Sequence, residues 1–296
     1  MRTSAPMKKC VEALDKADGD LDEAVTILRK AGVAAAAKKA GRGASEGAAA
    51  VAHGPGGAAL IEINSETDFV ARNDIFQKLC ADVARTALGL APPGEAAPAP
   101  VDAAALGAAP LDGSTSSVTE ALGVAVSQLG ENLVLRRAVA LPTPAAGGVV
   151  ATYVHNAYAP GVGRTAAAVV LSSTAGDAEA LQTLGQKLAM HVVAATPLYV
   201  SRAEVDPAVL ERERDILLEQ AKGSGKPDNV IEKMVTGRIS KYYGEVCLLE
   251  QMYMIEEGAG NVGKVLEAAG KELGAPVELQ AFVRFNVGDA APDEAA

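Results

Sequence analysis

Three β-strand segments follow one another in the middle of the chain, separated only by short turns that contain proline or glycine. Their sequences are "NLVLRRAVAL" (132–141), "GVVATYVH" (148–155) and "TAAAVVL" (165–171). Their β-branched and aliphatic residues are typical of strands. Helical segments lie before and after them without a regular alternation of strand and helix. This order predicts an α+β fold with antiparallel sheets.

The composition limits how the interior is packed and which partners the chain can bind. Hydrophobic residues make up 49% of the 296 positions, but aromatic residues only 3%. We therefore expect a thin interior packed largely by alanine. The net charge is −10 at pH 7, and an acidic surface repels a phosphate backbone. Direct nucleic-acid binding is not expected, and a protein partner is favoured.

No membrane association is expected from the sequence. It contains no run of about 18 apolar residues that is free of glycine, proline and charge, the minimum for a spanning helix. No signal peptide or Arg/Ser-rich transit segment is expected either, because helical signals begin almost at Met1.

The first 40 residues predict a small module of three helices. Gly32 is expected to end the second helix, and "VAAAAKKA" (33–40) to form the third. The stretch that follows, "GRGASEGAAAVAHGPGG" (41–57), predicts a flexible linker because of its glycine and alanine content.

The rest of the chain predicts a core of two subdomains, at 58–142 and 143–288, and a tail at 289–296. The first subdomain contains a strand at 58–64, with the alternating "IEI" pattern. It also contains a Pro/Ala-rich stretch at 91–112, which has no periodicity and is expected to be a surface insertion.

A helical hairpin is predicted at 207–244, inside the second subdomain. Two charged helices, at about 207–222 and 227–244, are joined by "GSGKP", a turn so short that the helices must be antiparallel neighbours. The same turn resembles a phosphate-binding loop, but Gln220 and Pro227 replace its first glycine and its Ser/Thr. A plain interhelical turn is therefore favoured.

Catalytic and metal-binding motifs are not found. The three histidines, His53, His155 and His191, lie in no recognisable nucleophile motif, and neither H-E-x-x-H nor a strand followed by G-x-G-x-x-G occurs. We therefore predict that the chain is not an enzyme and has neither a cofactor nor a metal. For His191, within "LAMHVVAA" (188–195), a satisfied position in or beside the core is favoured over a functional one.

The stretch "INSETDFVARNDIF" (63–76) contains an aromatic residue whose role the spacing leaves open. Phe69 is one of four phenylalanines and precedes Phe76 by seven residues, a spacing that would put both on one buried helix face. However, "RND" (72–74) interrupts the helical pattern, and Asp74 is a suitable N-cap for a new helix. Periodicity favours core packing for Phe69, and display at the surface remains the alternative.

Several of these stretches, in this order, resemble the elongation factor Ts family. The most specific is "INSETDFVARNDIF" (63–76). The others are "SAPMKKCVEAL" (4–14), "ADGDLDEAVTILRKAG" (17–32), "AAKKAGRGASEG" (36–47), "LGENLVLRRAV" (129–139), "LAMHVVAATPLYV" (188–200), "GKPDNVIEKMVTGRI" (225–239) and "FVRFNVG" (282–288). The resemblance implies a ubiquitin-associated-like N-terminal module, a two-part α+β core with antiparallel sheets and a protruding helical hairpin.

The same resemblance implies a function and its residues. Family members promote the exchange of GDP for GTP on elongation factor Tu, which they bind in its GDP-bound and nucleotide-free states. Thr67, Asp68, Phe69 and Val70 would form the partner site, with Asp68 and Phe69 inserted into the nucleotide-binding domain so that its Mg²⁺ and phosphate site is disturbed. Further contacts would come from Met190 and His191. No covalent chemistry is implied.

Two alternatives accompany this hypothesis. The chain could instead be a non-catalytic adaptor or scaffold whose ubiquitin-associated-like module binds other proteins. For its compartment, the acidic charge, the alanine content and the 91–112 stretch favour the mitochondrion, with the chloroplast and the bacterial cytoplasm as alternatives.

Overall fold

The computed structural model describes residues 5–90, 97–145, 147–174, 176–222 and 227–289. In chain order, the elements are α1 (Met7–Lys16), α2 (Leu21–Lys39), β1 (Glu46–Gly54), β2 (Gly57–Ser65), α3 (Asp68–Ala71), α4 (Asp74–Gly89), β3 (Ala99–Pro100), α5 (Ala103–Ala108), α6 (Val118–Leu129), β4 (Leu133–Pro142), β5 (Gly148–Ala159), β6 (Val162–Ser173), α7 (Ala178–Ala195), α8 (Pro207–Lys222), α9 (Asp228–Val246), α10 (Val262–Leu273) and β7 (Val277–Asn286). This mixture of helices and antiparallel strands confirms the predicted α+β class.

The described strands form one antiparallel sheet with a narrow joint in its middle. Their order is β3-β4-β2-β1-β6-β5, and β7 also pairs with β6. Strand β1 pairs with β2 along its whole length, but with β6 only at Ala49↔Gly163 and Ala50↔Val162. The sheet therefore has two halves, β3-β4-β2-β1 and β5-β6-β7, whose strand pairing is limited to these two residue pairs.

Each half of the sheet carries its own helices on one face. In the first half, α4 and α6 cover a cluster that includes the fully buried Phe76 and Ile61. In the second half, α7 and α10 cover a cluster that includes Leu188 and Leu171. A third cluster, with Leu60 and Val170, combines residues of both halves. Many alanines are fully buried, which confirms the predicted alanine-packed interior.

The prediction of a flexible linker at 41–57 is wrong, because most of that stretch is strand β1. Ala48, Ala49 and Ala50 are fully buried in the sheet. Alanine and glycine have low intrinsic strand propensity, so their strand state depends on packing from distant elements. Here α4 packs on β1, and small side chains let the two approach closely.

The predicted third helix is also absent, because α2 continues through Gly32 to Lys39. Gly32 does not end the helix; it lies where α2 crosses α6. A Cβ atom added at Gly32 would lie 3.0 Å from the backbone of Gly123 on α6, and one added at Gly123 would lie 2.8 Å from the backbone N of Val33. The glycine therefore marks a close helix crossing, and the described part of the module consists of two helices.

The predicted surface insertion at 91–112 is wrong for its described part. Residues 91–96 lie outside the described residues, but β3 pairs with β4 and α5 follows. Leu106 is fully buried in the cluster beneath α4 and α6. Leu111 is also buried in this cluster, but two leucines five residues apart in a Pro/Ala-rich stretch do not define a repeat and leave no periodic signal.

The two charged helices predicted at 207–244 are present as α8 and α9. They pack against each other through Leu217, Ile231 and Val235. The turn residues 223–226 and the tail from 290 onwards lie outside the described residues. No helix within the described ranges is long and apolar enough to cross a lipid bilayer.

Candidate functional site

The TDFV stretch (67–70) forms a tip between β2 and α4, which we call the TDFV tip. Strand β2 ends at Ser65, and after two residues the four-residue helix α3 begins at Asp68. The side chain of Asn73 caps α4 by accepting a hydrogen bond from the Ile75 N–H at 2.9 Å. The predicted cap, Asp74, is instead the first residue of α4, so the helix break is correct and its cap is one residue earlier.

Phe69 lies on the outside of this tip. Its side chain is 81% exposed, whereas the next two residues, Val70 and Ala71, are buried against the first cluster. The core packing favoured by periodicity is wrong because α3 and α4 are separate helices. The seven-residue spacing to Phe76 therefore does not put the two rings on one face.

The N-terminal end of α3 is held by a carboxylate from another part of the chain. Glu131, in the loop between α6 and β4, accepts hydrogen bonds from the Thr67 N–H at 3.0 Å and from Thr67 Oγ1 at 2.6 Å. Thr67 is the N-cap of α3 and accepts from the Val70 N–H at 3.4 Å. Ser65 Oγ donates to the Thr67 carbonyl oxygen at 2.9 Å.

A second set of bonds joins the same loop to the residue before the tip. The Asn132 N–H donates to Glu66 Oε1 at 2.7 Å, and Asn132 Nδ2 donates to the carbonyl oxygen of Arg42 at 2.9 Å. The Arg42 guanidinium lies 3.4 Å from the Glu66 carboxylate. The Asn132 N–H, with help from Arg42, lowers the pKa of the Glu66 carboxyl.

The C-terminal end of the tip touches the other half of the sheet. The Arg72 guanidinium lies 5.2 Å from the ring centroid of Tyr158, a residue of β5. Arg72 Nε is also 4.0 Å from Oδ2 of Asp68, whose side chain is 55% exposed. The tip therefore displays an aromatic ring next to a carboxylate on a support that is anchored at both ends.

The other predicted contacts, Met190 and His191, lie on α7 and not at the TDFV tip. Met190 is partly exposed, but His191 is fully buried. Its Nε2 is 3.1 Å from Gln251 Oε1, and its Nδ1 accepts from the Met254 N–H at 3.3 Å. This position contradicts a direct contact by His191 and agrees with the satisfied core position that its apolar neighbours favour.

Sequence reasoning missed two groups of residues around these sites. Glu131 and Asn132 belong to a stretch that resembles the family, but nothing local indicates that they reach the tip. Met252 and Met254 are strongly exposed and follow Gln251, whose side chain bonds His191. They lie in an irregular segment, where hydrophobic periodicity gives no signal. Among the described residues, no group of three or more His, Cys, Asp or Glu side chains could hold a metal ion.

The buried His191 predicts a pH dependence of stability. Burial lowers its pKa from the usual 6.5, and the Met254 N–H requires an unprotonated Nδ1. Near and below pH 6.5, the unfolded chain therefore binds more protons than the folded chain, and stability falls as the pH falls. We expect the free energy of urea unfolding to decrease from about pH 7.5 to about pH 5.5, and to decrease less in His191→Gln.

The exposed histidines give the matched control for this measurement. His53 lies near the end of β1 and His155 on β5, both exposed, so His53→Gln should retain the wild-type pH dependence. Glu66 has its pKa lowered from 4.5, and its contribution is lost only at more acidic pH. Equal pH dependence in wild type and His191→Gln would contradict the assignment to His191.

Residues 66–289 match the family model described as Elongation factor TS. This match covers the TDFV tip, β3 and β4 of the first half of the sheet and all strands of the second half, and it makes the chain a translation elongation factor. The chain is 48% identical to elongation factor Ts of Paramagnetospirillum magneticum over 288 residues, which are 97% of this chain and 88% of that protein.

Two further relatives extend the comparison. Elongation factor Ts of Rhodospirillum rubrum is 48% identical over 289 residues, which cover 97% of this chain and 89% of that protein. That of Rhizobium meliloti is 43% identical over 293 residues, which cover 99% and 91%. This chain belongs to the elongation factor Ts family. These relatives are bacterial, which fits the bacterial alternative better than the predicted mitochondrial location.

Proposed function

We propose that this chain is a guanine-nucleotide exchange factor that binds elongation factor Tu, in its GDP-bound and nucleotide-free states, and accelerates GDP release. The observation that carries the proposal is the exposure of Phe69, 81%, on a short helix anchored at both ends. An exposed aromatic ring on a rigid support is suited to act as an interface anchor. Membership of the elongation factor Ts family supports elongation factor Tu as the partner.

The proposed mechanism is binding that favours one conformation of the partner. Transfer of the Phe69 ring from water into a groove contributes about 1.5–3 kcal/mol. If the groove opens only when two partner helices separate, that free energy favours the separated state. When this state disturbs the Mg²⁺ and phosphate site, GDP and the factor weaken each other's binding by the same ratio. GTP then occupies the vacated site, and no covalent bond is made or broken.

The four residues of the TDFV tip have different proposed roles. Phe69 and Asp68 are exposed, so we assign the partner contacts to the ring and the adjacent carboxylate. Thr67 directs its N–H and hydroxyl to Glu131, and Val70 is buried. These two residues therefore support the tip and make at most limited contact with the partner.

A second proposed contact surface lies around α7. Met190 is partly exposed there, and Met252 and Met254 are exposed on the segment that His191 holds by its bond from the Met254 N–H. Flexible, polarizable methionine side chains are common at binding surfaces. We assign His191 an indirect role, in which it orders this segment from inside the core.

The N-terminal helices, α1 and α2, supply a third proposed surface. Met7 and Val11 on α1 and Leu21 at the start of α2 are large hydrophobic residues that are exposed. Exposed hydrophobic side chains on a small helical pair fit a protein contact. The bacterial relatives support the bacterial cytoplasm as the place where these contacts are made.

Release of labelled GDP from purified elongation factor Tu tests the proposed function. We expect substoichiometric amounts of the chain to accelerate release, because the factor is regenerated when GTP binds. The chain should also bind nucleotide-free elongation factor Tu more tightly than the GDP form, as linkage requires. No acceleration even at equimolar protein would refute the proposal. Capture of other proteins without elongation factor Tu would favour the adaptor alternative.

A further inference from the structure

The loop between α6 and β4 contains a carboxylate directed at the start of the TDFV tip. Glu131 follows Gly130, which ends α6 in a left-handed conformation at φ +83°. Its two oxygens accept from the backbone N–H and the hydroxyl of Thr67, 64 residues away in sequence. Hydrogen bonds to a carboxylate are about twice as strong as neutral ones.

Helix α3 depends on such anchors for its orientation. It has only four residues, far fewer than the number at which an isolated helix becomes stable. Its fixed points are the Thr67–Glu131 bonds at its start, the burial of Val70 and Ala71, and the contact of Arg72 with Tyr158 at its end. The capping residue Thr67 is held at its N–H and hydroxyl by Glu131, and at its carbonyl oxygen by Ser65 Oγ.

The hydroxyl of Thr67 has two functions in this arrangement. It donates to Glu131 at 2.6 Å and accepts from the Val70 N–H at 3.4 Å. The bond to Glu131 selects the side-chain rotamer of Thr67, and that rotamer places Oγ1 beneath the first turn of α3. The direction of the Phe69 ring, two residues further on, follows from how this turn is held.

We propose that Glu131 is a positioning residue for nucleotide exchange, which holds Phe69 in its binding direction by fixing Thr67. The inference rests on the proposed function. Without Glu131, the tip would populate several orientations, and the apparent affinity for the partner would fall in proportion to the competent fraction. We expect Glu131→Ala to slow stimulated GDP release about tenfold, with Glu131→Gln between it and wild type.

Fluorine NMR of the free, full-length chain measures the position of the tip without any partner. The chain contains four phenylalanines, so labelling with fluorophenylalanine gives four resonances, from Phe69, Phe76, Phe282 and Phe285. Phe69→Leu assigns the exposed ring. In Glu131→Ala, we expect the Phe69 resonance to shift towards that of the free amino acid and to narrow. The resonances of the buried Phe76 and Phe285 should not move.

A matched control removes a carboxylate at the other end of α6. Glu120 accepts from the Ser117 N–H at 3.0 Å in the capping box of that helix. Glu120→Ala should therefore affect stability without shifting the Phe69 resonance or changing the rate of GDP release. A Phe69 shift of equal size in both variants would show general loosening, and it would overturn the specific role of Glu131.

A double variant tests whether Glu131 acts through Thr67. If it does, the effects of Thr67→Val and Glu131→Ala on the rate of GDP release should not be additive. The double variant should then stimulate release little more slowly than the slower single variant. Effects that multiply would contradict the proposal, as would an unchanged Phe69 resonance in Glu131→Ala. The proposed function fails separately, if the wild-type chain does not accelerate GDP release from elongation factor Tu.

Discussion

Phe69→Ala should slow the GDP release that the chain stimulates by roughly 30-fold or more, equivalent to about 2 kcal/mol or more of lost anchor energy. The ring is 81% exposed, so its removal leaves no cavity in the chain itself. Stability should therefore change by less than about 0.5 kcal/mol. The release of labelled GDP from elongation factor Tu and urea unfolding of the free variant provide the two measurements.

Leu90→Ala is the matched control for this substitution. Leu90 is also an exposed hydrophobic residue, but it lies at the opposite end of α4 from the TDFV tip. Helix α4 has 16 residues, so this end is about 24 Å away at 1.5 Å per residue. The Leu90→Ala variant should stimulate GDP release from elongation factor Tu at the wild-type rate. If the two variants behave alike, Phe69 has no special part in exchange.

The second large effect is expected on stability, from the ion pair between β2 and β4. Glu62 is fully buried, and two guanidinium nitrogens of Arg137 lie 2.7 Å from its Oε2. The Arg137 guanidinium also lies 4.2 Å from the ring centroid of Phe285 on β7. Arg137→Met leaves Glu62 as a buried charge without its cation, so we expect a loss of about 3–5 kcal/mol in the free energy of unfolding.

Two further variants separate the charge from the packing. In Glu62→Leu with Arg137→Met, no buried charge remains, and much of the lost stability should return. Arg164→Met removes a similar ion pair, in which Arg164 Nη1 lies 3.0 Å from Glu46 Oε2. The side chains of Arg164 and Glu46 are 42% and 34% exposed. A pair that is this exposed contributes at most about 1 kcal/mol. Equal losses in Arg137→Met and Arg164→Met would contradict the importance of burial.

Local signals in the sequence were sufficient for much of the fold. The helix that begins after Ser117 carries a complete capping box with Glu120, and both partners lie within four residues of each other. Strands β4, β5 and β6 can be recognised in the sequence by their β-branched residues between turns. Strand β1 cannot, because its alanines form a strand only through pairing with β2 and packing under α4.

The site shows the same division between local and long-range information. Periodicity favoured a buried Phe69, whereas resemblance to the family favoured its display, and the ring is exposed. For His191 the apolar neighbours were the better guide, since the ring is buried. The support of the TDFV tip was not predictable from local sequence. Glu131 accepts a hydrogen bond from Thr67, 64 residues away, and Tyr158, which contacts Arg72, belongs to the other half of the sheet.

The crossing of Gly32 and Gly123 has a consequence for how a large partner would be captured. Because the backbones of α2 and α6 are in contact there, a movement of α2 relative to the first half of the sheet would have to separate a closely packed helix crossing. If the proposed N-terminal and TDFV patches both bind, this crossing would let them act as a bivalent ligand whose effective concentration is set by geometry, without the entropy loss of a loose tether. Once either patch has docked, the other would therefore already be positioned to bind.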